Sequence, residues 1–458
     1  MSKVFDVYLL SQKTGCLTFS DVDKLSFVYD EEYVSNAVVG TPILSVSMPI
    51  QKEQYGDKAT YIFLSNLFPE GDIREIIDSI LKSNTDSLDR IVTAMGGDVA
   101  GAIEMYPQGY VRAKSVIADS AVALPETKIS ALINEIESNP FHILDDDKQP
   151  VRRTRMSLAG AQPKLPVVAL KEGPTTKILD ALDRPSTHII KPPRQDGKFK
   201  CLVFNEYICM KAAQNSGLTV ANVELLDFTN SAENEDTALL VERYDRQVDG
   251  INANRIHQED LCQITSMLPI NKYEMNTETG FPGYKVGPGV KELFSVIRTK
   301  TKTPIVDIQE CGYRILFNII CGNDDAHAKN FSFLHLSDGT LALTPAYDLV
   351  STQLYSSLEH LMAMNFGTVR EVDKITRSDL DLFFKDAELT GRPLIKLYLK
   401  FCDRALAAIL NEVQLVLATD DINVESDIRL IGQLSAIATK NHKQLVSALK
   451  DYASPRNK

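Results

Sequence analysis

No two of the seven cysteines stand as a C-x-x-C pair. Zinc ribbons need that spacing, and scattered thiols give no disulfide framework, so both are excluded. Reduced thiols in a cytoplasm fit the pattern. No apolar run approaches the ~18 residues that a membrane-spanning helix requires. The apolar part of the opening MSKVFDVYLL is too short, and broken by charge, for a secretory signal. Positive charge is in deficit: 49 Lys and Arg face 61 Asp and Glu, giving a net charge of −12 and a pI near 5.2. A chain that coats nucleic acid by itself carries the opposite balance. There is no Walker A loop, no G-x-G-x-x-G and no internal repeat.

The 458 residues suffice for two or three domains. Residues 1–110 read as a β-rich region. Strands are expected at Val4–Leu10, Leu25–Tyr29, Ile43–Pro49 and Ala102–Tyr106. A helix capped by Asp72 and Glu75 and another over Leu88–Met95 lie between them. Residues 111–150 are connective, with one amphipathic helix over Pro125–Glu137 and a polar break at Asp145–Pro150. A nucleotide-binding core over 151–246 and a helical lobe over 247–458 complete the expected division. Pro393–Leu417 and Ile428–Leu449 give that lobe long amphipathic helices.

The stretch Cys321–Val350, CGNDDAHAKNFSFLHLSDGTLALTPAYDLV, concentrates the chemistry. A helix-like run ends at Cys321, and a polar loop then spaces Asp325 and Asn330 as D-x-x-x-x-N. A strand, an Asp338-Gly339 turn and a second strand carry the chain to Ala346-Tyr347-Asp348. Phosphoryl transfer needs one carboxylate to orient and deprotonate a hydroxyl, and an amide oxygen and a second carboxylate to hold Mg²⁺. Asp325, Asn330 and Asp348 suit those three roles. No His-Arg precedes Asp325, and Leu349-Val350 stands where protein kinases carry Phe-Gly. A solvated Asp/Asn loop between a helix and a hairpin accounts for the same residues.

Upstream, Ser157-Leu158-Ala159-Gly160-Ala161-Gln162 is a small-residue loop ahead of the apolar run Leu165–Leu170. Small residues let backbone N–H groups approach phosphates, and they also suit a plain turn. Pro163 removes one donor there. Arg152, Arg153 and Arg155 make either a solvated basic run or a receptor for a phosphate. The strand Thr187–Pro192 ends at Lys191, and Asn205-Glu206 reads as the start of a helix running to Ser216. A strand lysine followed by an early-helix glutamate is how kinases hold the α/β-phosphates. An ordinary surface lysine and a dipole-favoured N-terminal glutamate remain the alternative. Val220–Phe228 and Ala238–Tyr244 are two further strands, the second running into Glu242-Arg243-Tyr244-Asp245-Arg246.

Taken in order, SLAGAQPK, HIIKPP, NEYICMKAA, LLVERYDR, HQEDLCQI, NDDAHAKNFS and LTPAYDLVS resemble the HipA family, serine/threonine kinase toxins of bacterial toxin–antitoxin pairs. The resemblance implies an α+β, two-lobed, protein-kinase-like fold related to the phosphatidylinositol kinase branch, with a β-rich N-terminal subdomain and a helical C-terminal lobe. It implies ATP and Mg²⁺. It implies Asp325 as base, Asn330 and Asp348 as metal ligands, Lys191 on the phosphates and Glu206 orienting that lysine. Glu242, Arg243 and Tyr244 would form the adenine hinge, with His327, Lys329 and Tyr347 near the nucleotide. Ala159, Gly160, Ala161, Gln162 and Lys164 would cover the phosphates, and Ser157 matches a serine that the family autophosphorylates to switch itself off. Asp324 beside Asp325 is a second candidate base; the spacings to Asn330 and His327 favour Asp325. The implied partner is a small dimeric helix-turn-helix antitoxin, HipB-like, through which operator DNA is bound, and the implied substrate is an aminoacyl-tRNA synthetase. A small-molecule kinase and an inactive corepressor are the competing functions.

Overall fold

A computed structural model describes residues 2–20, 24–68, 70, 88–95, 99, 101–110, 123–138, 162–173, 175–181, 185–194, 197–230, 234–249, 252–274, 286–389, 392–419, 422 and 424–454. The helix expected from Asp72, the arginines at 152, 153 and 155, and most of the small-residue loop lie outside these. The chain divides into two compact units. The first holds residues 1–192, 226–269 and 334–339; the second holds 193–225, 270–333 and 340–458. Helices and strands both contribute, as an α+β class requires. Among the described residues no helix is long and apolar enough to cross a membrane.

In the first unit, β1 (Lys3–Leu9), β2 (Gln12–Phe19), β3 (Leu25–Tyr29) and β4 (Ile103–Pro107) form an antiparallel sheet in the order β3-β2-β1-β4. Alternate residues Phe5, Val7 and Leu9 of β1 face a core with Phe27 and Tyr29, as period-two patterning demands. Helices α1 (Asp57–Ser65) and α2 (Leu88–Met95) bring Phe63, Leu64, Ile91 and Val92 to the same core. β2 is unforeseen in the sequence. Its turn is Leu10-Ser11, at φ 50 and 67, where turn-forming residues were the expected signal.

The strand expected at Ile43–Pro49 is absent; the segment is a run of turns. Ser45 and Ser47 draw the backbone into local bonds, with the Ser47 N–H on Ser45 Oγ at 3.1 Å. The Val46 N–H donates to the buried carboxylate of Glu259 at 2.8 Å instead of to a neighbouring strand. Glu259 also holds His335 Nε2 at 2.8 Å, and His257 Nε2 lies 2.9 Å from the Leu44 carbonyl. The HQED segment is thus a polar anchor for this loop.

A second sheet of the first unit runs β6-β5-β7-β9-β8. Its strands are β5 (Leu165–Glu172), β6 (Thr175–Asp180), β7 (His188–Lys191), β8 (Val223–Thr229) and β9 (Glu235–Glu242). Helix α3 (Glu126–Ser138) covers one face through Ile129, Leu132 and Ile133. β10 (Arg246–Asp249) and β11 (Asn252–Arg255) make a separate ribbon, and β12 (Gln258–Asp260) stands where the sequence reads as the start of helical chain.

The second unit is mainly helical: α4 (Leu202–Asn215), α5 (Val290–Lys300), α6 (Pro304–Cys321), α7 (Arg377–Asp386), α8 (Arg392–Leu417) and α9 (Glu425–Ala453). α8 and α9 pack on each other and on α6. Tyr313 of α6 stacks on Phe401 of α8 with ring centroids 4.4 Å apart. The long helices anticipated near the C-terminus therefore form the wall behind α6.

Candidate active site

Pro304 sits at the first turn of α6, where a missing N–H costs nothing. Gly322 stops the helix at φ 74. A Cβ there would meet Ile437 Cγ2 at 2.8 Å and Gln353 Cβ at 3.1 Å, so glycine is needed for space as well as for conformation. Past Gly322 the loop folds around the Asp325 carbonyl. That oxygen accepts the His327 N–H at 2.7 Å and Asn330 Nδ2 at 3.3 Å. A single 3₁₀ turn, Ala328–Asn330, fixes Asn330 relative to Asp325.

The two adjacent aspartates go to different places. Asp325 is half-buried, and its Oδ1 accepts the Tyr273 hydroxyl at 2.7 Å. Asp324 is 6% exposed and turns to Gln353, whose Nε2 donates to Oδ1 at 3.1 Å. Burial pushes the Asp324 carboxyl up to about 6, and the Gln353 bond, His360 and Arg370 only partly offset it. Through the Gln353 bond and its own N–H on Thr352, Asp324 is tied into the loop, and its neighbour is the one turned to an aromatic hydroxyl.

His327 is 7% exposed, edge-on to Tyr273 at 5.4 Å. Burial foremost, then the positive charges of Lys272 and Lys329, drives its pKa down to about 3 against the opposing pull of Asp348. The imidazole is therefore neutral at working pH, and its buried Nδ1 has no hydrogen-bond partner among the described residues. A buried polar atom left so costs about 1–3 kcal/mol, which a bound ligand would recover.

β13 (Ser332–His335) and β14 (Leu341–Leu343) follow, joined by a turn with Gly339 at φ 80, as the Asp-Gly pair predicted. The Thr344 N–H returns to the Ser332 carbonyl at 3.0 Å. Buried Arg314 of α6 donates to the Thr344 carbonyl. The Ala346 N–H bonds the Thr219 carbonyl at 2.8 Å. Tyr347 spends its hydroxyl inside the site, 2.6 Å from both Ser332 Oγ and the Lys329 carbonyl. Asp348 then takes φ 57, a left-handed conformation that costs a non-glycine residue about 1–2 kcal/mol. Such strain is held only where surrounding bonds over-determine it. Here Ser351 supplies them: its N–H reaches Asn205 Oδ1 at 2.9 Å and its carbonyl accepts Asn205 Nδ2 at 3.0 Å.

Asp325, His327, Lys329, Asn330, Tyr347 and Asp348 thus gather in the second unit. Glu206 belongs there too, buried at 3%, yet it does not open its helix. α4 begins four residues earlier, at Leu202, so Glu206 is in the second turn. The dipole-favoured N-terminal placement is thereby corrected. Asn205 looked like a start because asparagine caps helices; it is instead the buried anchor of Ser351.

The remaining candidates lie in the first unit. Lys191 ends β7 at 6% exposure, opposite Leu239 of β9. Gln162 and Lys164 lead into β5. Arg243 is committed to Asp245 through Nε at 2.9 Å and Nη2 at 2.7 Å, and its N–H bonds the Thr187 carbonyl at 2.9 Å. Glu242 closes β9, and the Tyr244 hydroxyl donates to Gln258 at 2.7 Å. Ser157, Ala159, Gly160 and Ala161 lie outside the described residues. Tyr273, Asn205, Thr352 and Gln353 are site-building residues that no spacing announces, since each acts across a long stretch of chain.

The HipA-like C-terminal domain family matches residues 156–414, and the HipA N-terminal domain family matches residues 5–106. The serine/threonine-protein kinase toxin HipA of Shewanella oneidensis is 32% identical over 381 residues, 79% of this chain and 78% of its own length. The Y4mE protein of Sinorhizobium fredii is 30% identical over 398 residues, 86% of this chain and 88% of its own. In the solved complex of Shewanella oneidensis HipA, HipB and operator DNA, one chain superposes with a TM-score of 0.77 at 25% identity, covering 98% of this chain and 99% of that one.

Proposed function

The chain belongs to the HipA family of serine/threonine protein kinases, and from that premise we propose that the loop from Asp325 to Asp348 transfers the γ-phosphoryl group of ATP to a protein hydroxyl. The observation that carries the proposal is the convergence of Asp325, Asn330, the unpartnered Nδ1 of neutral His327 and a strained Asp348 in one unit. The donor set fits the group. An amide oxygen from Asn330 and a carboxylate from Asp348 are hard ligands of the kind Mg²⁺ takes alongside substrate phosphates. When bound, the ion neutralises phosphate charge. Asp325 accepts the proton of the attacking hydroxyl at its carboxylate, and Tyr273, donating to Oδ1, fixes which face of that carboxylate is presented. His327, held neutral, offers Nδ1 to a donor on the nucleotide. Lys191 at the end of β7 would meet the phosphates, Glu206 would orient it, and Glu242–Tyr244 would meet the base.

We propose further that the chain is the toxin of a cytoplasmic pair, with a helix-turn-helix antitoxin supplying most of the DNA affinity. The net charge of −12 supports that division of labour. An aminoacyl-tRNA synthetase is the proposed substrate. Ser157 is the proposed site of self-inactivation, since its phosphate would repel those of ATP. Labelled ATP with Mg²⁺, followed by mapping of phosphoserine, tests both transfer and Ser157. Asp325→Ala and Asp348→Ala should each abolish transfer. By calorimetry, loss of Asp348 should weaken Mg·ATP binding while loss of Asp325 leaves it nearly intact. If both variants bind Mg·ATP like the wild type, the metal role of Asp348 is wrong.

A further inference from the structure

Five residues after Asp348, Gln353 occupies a junction. Its Nε2 donates to Asp324 Oδ1 at 3.1 Å, and its Oε1 accepts Asn441 Nδ2 at 3.0 Å. Asn441 lies in the middle of α9, 2% exposed, and its Nδ2 also reaches the Ile319 carbonyl at 3.0 Å, in the last turn of α6. The Gln353 N–H bonds the Gly322 carbonyl at 3.0 Å. Beside it, Thr352 Oγ1 accepts the Asp324 N–H at 2.8 Å and lies 3.3 Å from the same Gly322 carbonyl. The Asp324 carbonyl accepts the Ala363 N–H at 2.8 Å. The segment that carries Asp348 is therefore stitched to the residue preceding Asp325, and both are referred to one helix.

We propose that Gln353 is a positioning residue that sets Asp325 against Asp348 by clamping Asp324 to Asn441 of α9. The role rests on the kinase reading above and deepens it. Asp324 is a hydrogen-bond acceptor in this clamp, not a second base. The groups facing its carboxylate are Gln353, His360 Nδ1 at 3.8 Å from Oδ2, and the more distant charges of Arg370 and Asp325. A displacement of about 1 Å between reacting groups costs roughly 100-fold in rate. Gln353→Leu, which removes both side-chain bonds at similar size, should thus lower kcat by roughly 10- to 100-fold. KM for ATP should change less than kcat, because Gln353 shifts Asp348 without touching any nucleotide-binding group itself. Asp324→Asn keeps the acceptor and should retain most activity, whereas Asp324→Ala should fall with Gln353→Leu.

The deciding measurement is the pH profile of Gln353→Glu. Two carboxylates then face each other, and they hold the clamp only when they share a proton. Its kcat relative to wild type should rise as the pH falls from 8 to 6. A merely structural loss would leave that ratio flat. The single-turnover rate of autophosphorylation of the full chain serves as kcat in this assay. A flat ratio, a Gln353→Leu variant within twofold of wild-type kcat, or an Asp324→Asn variant as dead as Asp325→Asn overturns the positioning role and leaves the kinase reading standing. A wild type with no transfer sinks the kinase reading and the clamp with it.

Discussion

Replacing Asp245 by asparagine keeps the shape of a buried side chain and removes its charge. Asp245 is 3% exposed and lies between Arg243 and Arg246, with the Arg246 guanidinium 2.8 Å from Oδ2. Burial alone would push its carboxyl up. The Arg243 charge, then that of Arg246, overcomes this and holds the pKa down at about 2, from an ordinary value of 3.8. That depression of just under two units, at about 1.4 kcal/mol each, is worth roughly 2–3 kcal/mol of stability at neutral pH. Asp245→Asn should lose about that much. Asp245→Ala, which also abandons the guanidinium donors, should lose about 3–5 kcal/mol. The sign follows from the depressed value: the contribution is complete above the unfolded pKa and drains as the pH falls toward 2. At pH 3 the Asn deficit should therefore shrink to roughly half. The chain has no tryptophan, so urea unfolding is best followed by circular dichroism at pH 7 and pH 3, in the transition that includes the first unit. A deficit below about 0.5 kcal/mol at pH 7, or one equal at both pH values, would refute the reasoning, because buried charge pairing would then not be what holds the connection from β9 to β10.

Leu10 and Ser11 both carry positive φ in the β1–β2 turn. Leu10→Asn with Ser11→Gly should therefore stabilise the chain by about 1–2 kcal/mol, read as a higher urea midpoint; an unchanged or lower midpoint would count against the turn geometry. Lys191→Ala should lose ATP affinity by calorimetry and activity with it. Lys191→Arg should rescue only part, since a planar fork replaces a point charge; full activity in Lys191→Ala would remove the phosphate role.

Elements with a strong period were legible in the sequence. The alternation in β1 and β3 and the helical spacing of Leu88–Met95 gave their elements to within a residue or two. What escaped was structure whose cause is elsewhere in the chain. β2 was hidden because Leu10-Ser11 is held positive by the sheet and not by its own preference. α4 was misplaced because its N-cap, Cys201, is left-handed at φ 55 and makes no capping bond with its side chain, so nothing marks the start. Ile43–Pro49 alternates like a strand, yet its backbone partner is Glu259, 213 residues from Val46. The same split runs through the site. Asp325, Asn330 and Asp348 stand out because kinases space a carboxylate and an amide as D-x-x-x-x-N and set a second carboxylate after a hairpin, and their proposed roles rest on that spacing. Gln353 and Tyr273 do not, because a side chain that orients another one has no register to keep. Asp324 and Asp325 are separated in the sequence by the spacings to Asn330 and His327, and in the structure their side chains turn to different partners, Gln353 and Tyr273.

Asp348 has a consequence on another scale, that of the gene. Glycine enters its left-handed backbone freely, and aspartate, asparagine and histidine enter it at less cost than other side chains. An aspartate codon becomes an asparagine codon by one base change, and that change keeps the backbone, the side-chain shape and the Asn205–Ser351 anchor while discarding the charge. On the proposed toxin role, a cell selected to escape the enzyme has a one-step path to a chain that still folds and still offers the same surface to the proposed antitoxin. Most other single-base changes at this codon, to tyrosine, valine, alanine or glutamate, load the strained position with a side chain it resists. Sequencing of escape mutants should find asparagine and glycine over-represented there among soluble products, with the rest of the spectrum displaced toward truncations and aggregating variants.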